Sequence, residues 1–456
     1  MTSSAVATTS KAFGWRFMTP LIVGSALNPV NSSIIATALV PIAAHFRVPA
    51  GRTAVLVAVL YVASATAQPT LGRIAGRHGP RRVFLSGISL VMLGGLIGSI
   101  GQSLLMLTIA RVVIGIGTSA GYPTAMLLIR QRASAFGIAA PGSVLGAISI
   151  AGQVTVALGL PLGGLLVGAA GWRIVFLINI PFAVLAFLMA WWWIPADAPA
   201  AGDGGIDLPG VVLFAGTFTC LLGFLLSLHH PRWLVLAGAV ILLVALVWRE
   251  LRAASPLVDL RLLRSNGALT RTYLRQLCTQ LVMYSLMYGV TQWLQDGKGL
   301  SAALAGLVML PMTGMSALVT APVARRNVVR LPLLIAAFVA LVVAVTLRFM
   351  SIGTATAAIL TVTVAFGLTV SLGAVGNQGA LYVQSPAHDV GTAAGLMRTF
   401  SYLGAILSSS LISLSYAQGV TDAGLHSIAN ALIGGSVVLV LITALDRRLP
   451  SHIDRP

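Results

Sequence analysis

Apolar runs of about twenty residues repeat along the whole chain, and this repeat restricts the possible folds more than any other feature of the sequence. Each run is long enough to cross roughly 30 Å of hydrocarbon as an α-helix. In lipid, every backbone N–H and C=O group needs a partner within the protein, which a helix provides by itself. Because 57% of the residues are hydrophobic and only 8% are charged, with a mean hydropathy of +0.95, we predict an all-α polytopic membrane protein.

A hydropathy window of about nineteen residues predicts fourteen spans. The predicted spans lie near 17–44, 51–76, 82–102, 105–130, 137–168, 172–194, 208–229, 233–251, 269–294, 301–322, 330–350, 353–383, 391–416 and 426–446. Two hydrophilic breaks separate six spans, a pair and six more. We therefore expect an N-terminal six-helix bundle (1–195), an inserted two-helix segment with its flanking loops (196–268) and a C-terminal six-helix bundle (269–456).

The net charge of +18 is distributed among the loops between the spans. Most loop arginines fall on one side of the membrane when the N-terminus is cytoplasmic, as the positive-inside rule requires, so both termini are predicted to be cytoplasmic. This distribution points to a lipid bilayer as partner and away from nucleic acid. Lysine occurs only at Lys11 and Lys298 beside many arginines, which indicates a GC-rich genome and a bacterial inner membrane. We expect a monomer.

The loop between the second and third spans is rich in glycine and arginine, reading GRIAGRHGPRR over residues 72–82. Glycines let helix ends approach closely, and arginines can meet helix carbonyls or anionic lipid heads. Two interpretations stay open on these residues alone: a basic loop that only obeys the topology rule, or a gating element. The candidate gating residues here are Gly72, Arg77, Gly79, Arg81 and Arg82.

Five further motifs follow in the same chain. They read RVVIGIG at 111–117, GLPLGG at 159–164, GWRIVFLINIP at 171–181, SPLVDL at 255–260 and GTAAGL at 391–396. Together with the loop, they resemble the motifs of the major facilitator superfamily, in particular its fourteen-span drug/proton antiporter branch. The resemblance implies a major facilitator fold with two six-helix bundles plus an inserted helix pair, and transport by alternating access without a cofactor or metal ion.

Gating candidates extend beyond the first loop. The glycine and proline motif of the fifth span contributes Gly159, Pro161, Gly163 and Gly164. At the inner end of the thirteenth span, Asp389 is expected to pair with a cytoplasmic arginine and so to latch one conformation.

The chain departs from the branch at the position that usually carries a proton. Asn31 stands in the first span where members of the branch usually have an aspartate, and Gly76 replaces the loop aspartate. An asparagine cannot move a proton between compartments, so the usual coupling group is absent from its usual place. Protons remain the candidate coupling ion.

Three arginines, Arg111, Arg275 and Arg398, lie within predicted spans, whereas none of the ten acidic residues lies deep inside one. A guanidinium group in hydrocarbon must face water, carbonyl groups or a ligand. Arg111 therefore either ties the fourth span to neighbouring backbone carbonyls or handles the substrate. Arg275, near the cytoplasmic end of its span, is expected to snorkel towards the interface. An interior with arginines and no carboxylates favours anionic, zwitterionic or neutral substrates over cations.

The ninth span carries polar and aromatic residues every four positions: Gln276, Gln280, Tyr284, Tyr288 and Gln292. Such a stripe serves either hydrogen bonds between helices or a cavity that holds an organic molecule. The candidate substrate-binding residues of the chain are Asn28, Asn31, Arg111, Gln153, Gln280, Tyr284, Tyr288, Asn377 and Arg398.

These residues predict a secondary active transporter of a small organic molecule, and the resemblance implies an exporter. One alternative is a broad-specificity proton-coupled multidrug exporter. A second alternative, of another class, is a non-transporting receptor or regulator on the same fold. We do not expect an enzyme, because the spans supply no convergent nucleophiles, carboxylates or clustered histidines.

Overall fold

The computed structural model describes residues 13–138, 142–197, 207–227, 231–253, 256, 260–326, 328–385, 390–449 and 451. Within these residues the chain forms fourteen long helical segments, numbered here in chain order. They are α1 Trp15–Thr37 with Leu39–Phe46, α2 Ala50–His78, α3 Pro80–Ser99, α4 Leu104–Ala135, α5 Gly142–Ala170, α6 Ile174–Trp193, α7 Leu208–Leu226, α8 Trp233–Arg252, α9 Gly267–Tyr284 with Ser285–Val290 and Trp293–Gly297, α10 Ala302–Ala324, α11 Arg330–Arg348, α12 Thr356–Gln384, α13 Val390–Ser415 and α14 Asp422–Leu445.

Ten of the described helices are long and apolar enough to cross a membrane, and the bent α1 makes eleven. This agrees with the predicted all-helical membrane fold. The other three helices, α5, α9 and α13, coincide with the fifth, ninth and thirteenth predicted spans. The total of fourteen spans therefore stays a prediction.

We describe the helices in chain order as two groups of six, with a pair between them in the sequence. In the first group, which we call the N-half, α1 packs on α5 and α6, and α4 packs on α2 and α3. In the second group, the C-half, α9 packs on α13, α10 on α12, and α11 on α14. The halves meet where α2 packs on α13 and α5 packs on α10. Of the pair, α7 packs on α2 and α13, while α8 lies outside α7.

Helix α1 is broken in its second half. Pro29 lacks the N–H that would continue the helical ladder, and the helix changes to a 3₁₀ turn at Ile35–Thr37 before Leu39–Phe46 continues at an angle of 57°. A break of this kind leaves backbone carbonyl oxygens available to side-chain donors. Two such carbonyls, those of Asn31 and Ser32, accept hydrogen bonds from Arg111 and Tyr288.

The two ends of the bundle differ in how tightly the halves meet. We call the end where α1 begins the inner end, because the sequence predicts it to face the cytoplasm, and the opposite end the outer end. At the outer end the halves touch through glycine: a Cβ atom at Gly51 would lie 2.7 Å from the carbonyl oxygen of Ser413, and one at Gly306 would lie 2.8 Å from that of Leu160. Contacts this close leave no room for solvent between the helices at these two points.

Arg275 lies inside the C-half and does not snorkel. Its side chain is fully buried, with Nη1 3.3 Å from the carboxylate of Asp446 and Nη2 donating to the hydroxyl of Thr272 at 2.6 Å. Arg271 also pairs with Asp446, at 2.8 Å. The snorkelling prediction was wrong because the acidic partner is 171 residues away in the chain, just beyond α14, and only the fold brings the two together.

Candidate functional site

Five tyrosines meet where the N-half and the C-half face each other. The ring centroid of Tyr61 on α2 lies 5.0 Å from that of Tyr284 on α9 and 5.8 Å from that of Tyr402 on α13. Tyr284 and Tyr288 stack in nearly parallel planes with centroids 5.7 Å apart. Tyr122 on α4 completes the group through its contact with Arg398. We call these five residues the tyrosine cluster.

Tyr288 connects the cluster to the break in α1. Its hydroxyl donates to the carbonyl oxygen of Ser32 and lies 3.3 Å from the hydroxyl of Tyr61. Both rings are 1% exposed, so these hydrogen bonds are shielded from solvent. A buried carbonyl of the N-half is thus satisfied by a side chain of the C-half.

Arg398 lies nearer the inner end and faces the N-half. Its guanidinium carbon is 3.9 Å from the centroid of the Tyr122 ring, a close cation–π contact. One turn further along α13, the hydroxyl of Tyr402 donates to the Oε1 atom of Gln68 on α2. Arg398, Tyr122 and Gln68 are each half-buried, in contrast to the fully buried Tyr61. These side chains lie where the two halves meet, and we call this part of the boundary between the halves the cleft.

Arg111 lies within the N-half and is 1% exposed. Its Nε donates to the carbonyl oxygen of Leu56 on α2 at 2.9 Å, and its Nη1 donates to that of Asn31 on α1 at 3.1 Å. The remaining nitrogen, Nη2, has no hydrogen-bond partner. Of the two predicted roles, this geometry matches the tie between helices, because two carbonyl groups already receive the guanidinium.

The two predicted asparagines of α1 form hydrogen bonds within the N-half. Asn28 donates to the hydroxyls of Ser64 at 3.1 Å and Thr118 at 2.9 Å, which joins α1, α2 and α4. Asn31 donates to the side-chain oxygen of Asn179 on α6 at 2.6 Å. None of these partners belongs to the C-half.

In the C-half, Asn377 is fully buried and donates to Gln276 at 2.9 Å, and Gln276 in turn donates to Ser401 at 2.9 Å. Gln280 is half-buried on the same face of α9. The backbone of Gln153 lies in α5, but its side chain is outside the described part of the structure.

The structure thus brings three of the nine predicted binding residues, Tyr284, Tyr288 and Arg398, into one cluster between the halves. It adds Tyr61, Gln68, Tyr122 and Tyr402, which the sequence prediction did not include. A usable signal was present: the chain has only eight tyrosines, and five of them belong to this cluster.

The glycine motif of α5 lies against two different helices. A Cβ atom at Gly159 would collide with Ser33 of α1, and one at Gly163 would lie 2.8 Å from the carbonyl oxygen of Ile34. One at Gly164 would collide with the backbone of Ala302 on α10, and Pro161 lies beside Gly306 of the same helix. The motif therefore packs α5 closely on both the broken helix and the opposite half.

The loop between α2 and α3 is held by an acid from the end of the N-half. The carboxylate of Asp197 accepts hydrogen bonds from the backbone N–H groups of Arg81 at 2.9 Å and Arg82 at 3.0 Å, which are the first unpaired donors of α3. Gly79 has a φ of +98° and lies against the same carboxylate. Gly72 packs near Pro123 of α4 and Arg77 is exposed, while Asp389 lies outside the described residues.

A separate cavity of about 330 Å³ opens between the halves at the outer end. Its lining includes Val40 and Ala43 of α1, Asp296 at the end of α9, and Gln418 after α13. The tyrosine cluster does not contribute to this lining. In the described part of the chain, no group of three or more His, Cys, Asp or Glu side chains is placed to hold a metal ion.

The chain is similar in sequence to known proteins. The sequence profile of the Major Facilitator Superfamily matches residues 21–409. The chain is 33% identical over 439 residues to the uncharacterized MFS-type transporter YwoD of Bacillus subtilis (strain 168), covering 93% of this chain and 96% of that protein. It is 29% identical over 425 residues to the tetracenomycin C resistance and export protein of Streptomyces glaucescens, covering 90% of this chain and 77% of that protein.

The fold is also similar to a solved structure. The crystal structure of the nucleoside transporter NupG superposes with a TM-score of 0.60, covering 94% of this chain and 98% of that one, at 12% sequence identity. At this identity the likeness concerns the fold alone.

Proposed function

Because the chain belongs to the Major Facilitator Superfamily, we propose that it is a secondary active transporter that exports a small organic molecule by alternating access between its two halves. The observation that carries this proposal is the tyrosine cluster with Arg398, because it is built from both halves. A site of this kind changes its geometry whenever the halves rock against each other. In the described conformation the outer end is closed by glycine contacts, and the half-buried residues of the cleft lie towards the inner end.

We assign substrate contact to three residues of the sequence prediction, Tyr284, Tyr288 and Arg398. We assign it also to the other members of the tyrosine cluster, Tyr61, Tyr122 and Tyr402. Gln280 is assigned to the wall of the cleft on the same side. Asn28, Asn31, Arg111 and Asn377 are assigned a supporting role, because their hydrogen bonds stay within one half. The role of Gln153 stays a prediction.

We assign gating to the two glycine-rich regions. Gly159, Pro161, Gly163 and Gly164 let α5 slide on α1 and α10 at the outer end. Gly72, Gly79, Arg81 and Arg82 hold the inner ends of α2 and α3 in one arrangement with Asp197. Arg77 and Asp389 are proposed to form contacts at the inner face in another conformation.

We further propose that the chain crosses the inner membrane of a bacterium fourteen times, with both termini in the cytoplasm. An even number of spans keeps the arginine-rich loops on one side of the inner membrane, as the positive-inside rule requires. Export is supported by the similarity to a protein named for resistance and export. Preference for anionic, zwitterionic or neutral substrates is supported by Arg398, which has no carboxylate within ion-pair distance in the described residues.

A proton-coupled exporter of many drugs is the second candidate. The observation in its favour is the stripe of tyrosine with Met283 and Met287 on α9, since these side chains adapt their contacts to differently shaped molecules. Against it stands Asn31, which donates to Asn179 and carries no titratable proton.

The decisive experiment uses purified protein in liposomes. Uptake of an anionic dye and of a cationic dye is measured with and without an imposed pH gradient. We expect protein-dependent movement of the anionic dye. Movement of neither dye in either direction would contradict the transport proposal, whereas pH-driven movement of the cationic dye would favour the multidrug alternative.

A further inference from the structure

The guanidinium of Arg398 contacts the ring of Tyr122 and forms hydrogen bonds with the side chains of Tyr122 and Tyr402. The carbon of the guanidinium lies 3.9 Å from the centroid of Tyr122, so the flat cation is covered on that side by the ring. A guanidinium has five N–H donors, so hydrogen bonds to two tyrosine hydroxyls leave further donors for a ligand. A planar carboxylate can accept two of these N–H groups at once, which a single ammonium cannot match.

Among the residues that the structure describes, no carboxylate forms an ion pair with Arg398. Within the described residues the ion pairs are those of Asp207 with Arg249 and of Asp446 with Arg271 and Arg275, all away from the cleft. A half-buried cation without a carboxylate partner attracts an anion more strongly than a solvated one does, because the surroundings screen it poorly. The positive charge of Arg398 therefore favours binding of an acidic group in the cleft.

Next to this cation lies a group of aromatic rings, here called the aromatic wall, which pack against one another and are each at most 8% exposed, so a ligand reaches their faces when the halves move apart. Tyr402 is one helical turn from Arg398, and its ring is followed by those of Tyr61 and Tyr284, with centroid separations of 5.8 Å and 5.0 Å. Successive turns of a helix are about 5.4 Å apart, which is close to the distance from a carboxyl group to the far side of the ring that carries it. Tyrosine rings favour flat aromatic partners through stacked or edge contacts.

We propose that the substrate is a planar aromatic acid, bound with its carboxylate on the edge of Arg398 and its ring against Tyr402, Tyr61 and Tyr284. This inference rests on the proposed transport function and specifies its substrate class. The same geometry disfavours two other classes. An aromatic cation meets the uncompensated charge of Arg398, and an aliphatic acid leaves the aromatic wall without a matching surface.

Equilibrium binding to the purified protein in detergent tests the class without requiring transport. The probe is fluorescein, a flat aromatic anion, followed by fluorescence polarisation. The competitors share one ring system and differ in charge: 1-naphthoate, 1-naphthalenemethanol and 1-naphthylmethylammonium. Cyclohexanecarboxylate serves as the non-aromatic acid. We expect 1-naphthoate to displace the probe at concentrations about tenfold or more below those of the other three compounds.

Variants at Arg398 identify the contact. Arg398→Gln should weaken binding of 1-naphthoate by about tenfold or more and leave that of 1-naphthalenemethanol within about twofold. Arg398→Lys keeps the charge but loses the planar group that can donate two parallel hydrogen bonds to one carboxylate. We therefore expect this variant to bind 1-naphthoate more tightly than Arg398→Gln and more weakly than the native protein. Arg348→Gln is the matched control, because it removes one positive charge from an exposed position at the end of α11. Thermal unfolding of each variant verifies that it is folded.

Two results would overturn the inference: equal displacement by the naphthalene acid and the naphthalene cation, or the same affinities for Arg398→Gln as for Arg348→Gln. Transport in liposomes separates this inference from the broader proposal. Movement of the cationic dye rhodamine 6G without movement of fluorescein would overturn the substrate class and leave the transport function standing. Preferential binding of 1-naphthoate without movement of any tested compound would retain the binding class and contradict transport.

Discussion

Two guanidinium groups lie inside the bundle in contrasting surroundings. Arg111 is received by the carbonyl oxygens of Leu56 and Asn31, whereas Arg398 is stacked on Tyr122 and reaches the cleft. The same residue type thus contacts two backbone carbonyls within one half in the first case and an aromatic ring across the two halves in the second. Their substitution should separate stability from substrate preference.

Replacing Arg111 should lower stability without changing charge preference. Arg111→Gln removes both donors, and each buried carbonyl left unpaired costs about 1–3 kcal/mol. We expect a lower unfolding temperature in detergent and an equal fractional loss of transport for an acidic and a neutral substrate. Arg348→Gln should show neither effect. An unchanged unfolding temperature combined with a selective loss of the acidic substrate would instead assign Arg111 to the substrate.

Asp446 links α9 to the chain just beyond α14 and lies outside the spans. Burial by itself would raise the pKa of this carboxyl group, but the hydrogen bond and charge of Arg271, the N–H of Arg448 and the charge of Arg275 hold the pKa below its ordinary value. The ionised group therefore contributes stability that is fully present above the unfolded-state pKa of about 3.9 and is lost as the pH falls through the lower folded-state pKa.

Asp446→Asn should destabilise the protein in a pH-dependent manner. Removing one partner of a buried ion pair costs about 3–5 kcal/mol, because the guanidinium of Arg275 is left without its counter-charge. We expect the unfolding temperature of the variant to lie below that of the native protein by a constant difference between about pH 5 and pH 7, and this difference to shrink below about pH 4. A difference that is the same at all pH values would show that the ion pair contributes nothing.

At the scale of elements, the broken helix α1 connects the two halves. Its 3₁₀ turn at Ile35–Thr37 follows two residues whose carbonyls are satisfied by side chains. The carbonyl of Asn31 is bound by Arg111 of its own half, and that of Ser32 is bound by Tyr288 of the other half. If the halves separate as proposed, the second contact breaks, so we expect it to stabilise the conformation that is closed at the outer end.

Tyr288→Phe should favour opening at the outer end. The substitution keeps the ring and removes only the hydroxyl that donates to Ser32. The readout is labelling by a membrane-impermeant maleimide of an introduced Ala36→Cys, which is fully buried in the 3₁₀ turn of α1 that packs on α9. We expect about five- to tenfold faster labelling with Tyr288→Phe, since losing one hydrogen bond shifts the equilibrium by about 1 kcal/mol.

The control for this experiment is Tyr382→Phe, which removes a hydroxyl from an exposed tyrosine of α12. Labelling at the native rate in both variants would contradict the role of Tyr288 in holding the outer end closed.

At the scale of the whole molecule, the two halves approach each other closely at glycine residues, which have no side chain to keep the helices apart. Gly164 of α5 lies against the backbone of Ala302 on α10, and Gly51 of α2 lies against Ser413 of α13. The pair α7 and α8 lies outside this interface, and Gly238 of α8 faces open space. A side chain added at Gly164 should therefore disturb the contact between the halves, whereas one added at Gly238 should not.

Gly164→Val should stop transport while leaving the halves folded. The new side chain collides with the backbone of Ala302, which can yield only if α5 and α10 move apart, so the outer end cannot close. We expect substrate binding from the outer side to persist and turnover in liposomes to fall by about tenfold or more. Gly238→Val adds the same atoms to a helix that lies outside the interface and should transport at the native rate. Equal turnover of the two variants would contradict a gating role for the α5 motif.

The sequence alone determined the fold class and much of the element order. Span length is set by the thickness of the hydrocarbon, and each span forms its own backbone hydrogen bonds, so local composition suffices to place helices. The motifs at 72–82, 111–117 and 159–164 indicated the family for the same reason, since each lies within one or two consecutive helices.

Only the tertiary structure decided which polar residues meet. Arg275 and Asp446 are 171 positions apart within the C-half, and Tyr402 and Gln68 are 334 apart in different halves. Each pair forms because helix packing brings distant parts of the chain to the same depth. Helical periodicity reveals which residues share a face, but it does not reveal which helix that face meets or whether a partner satisfies its charge. The roles of Arg111 and Arg398, alike in sequence, therefore separated only when their neighbours were known.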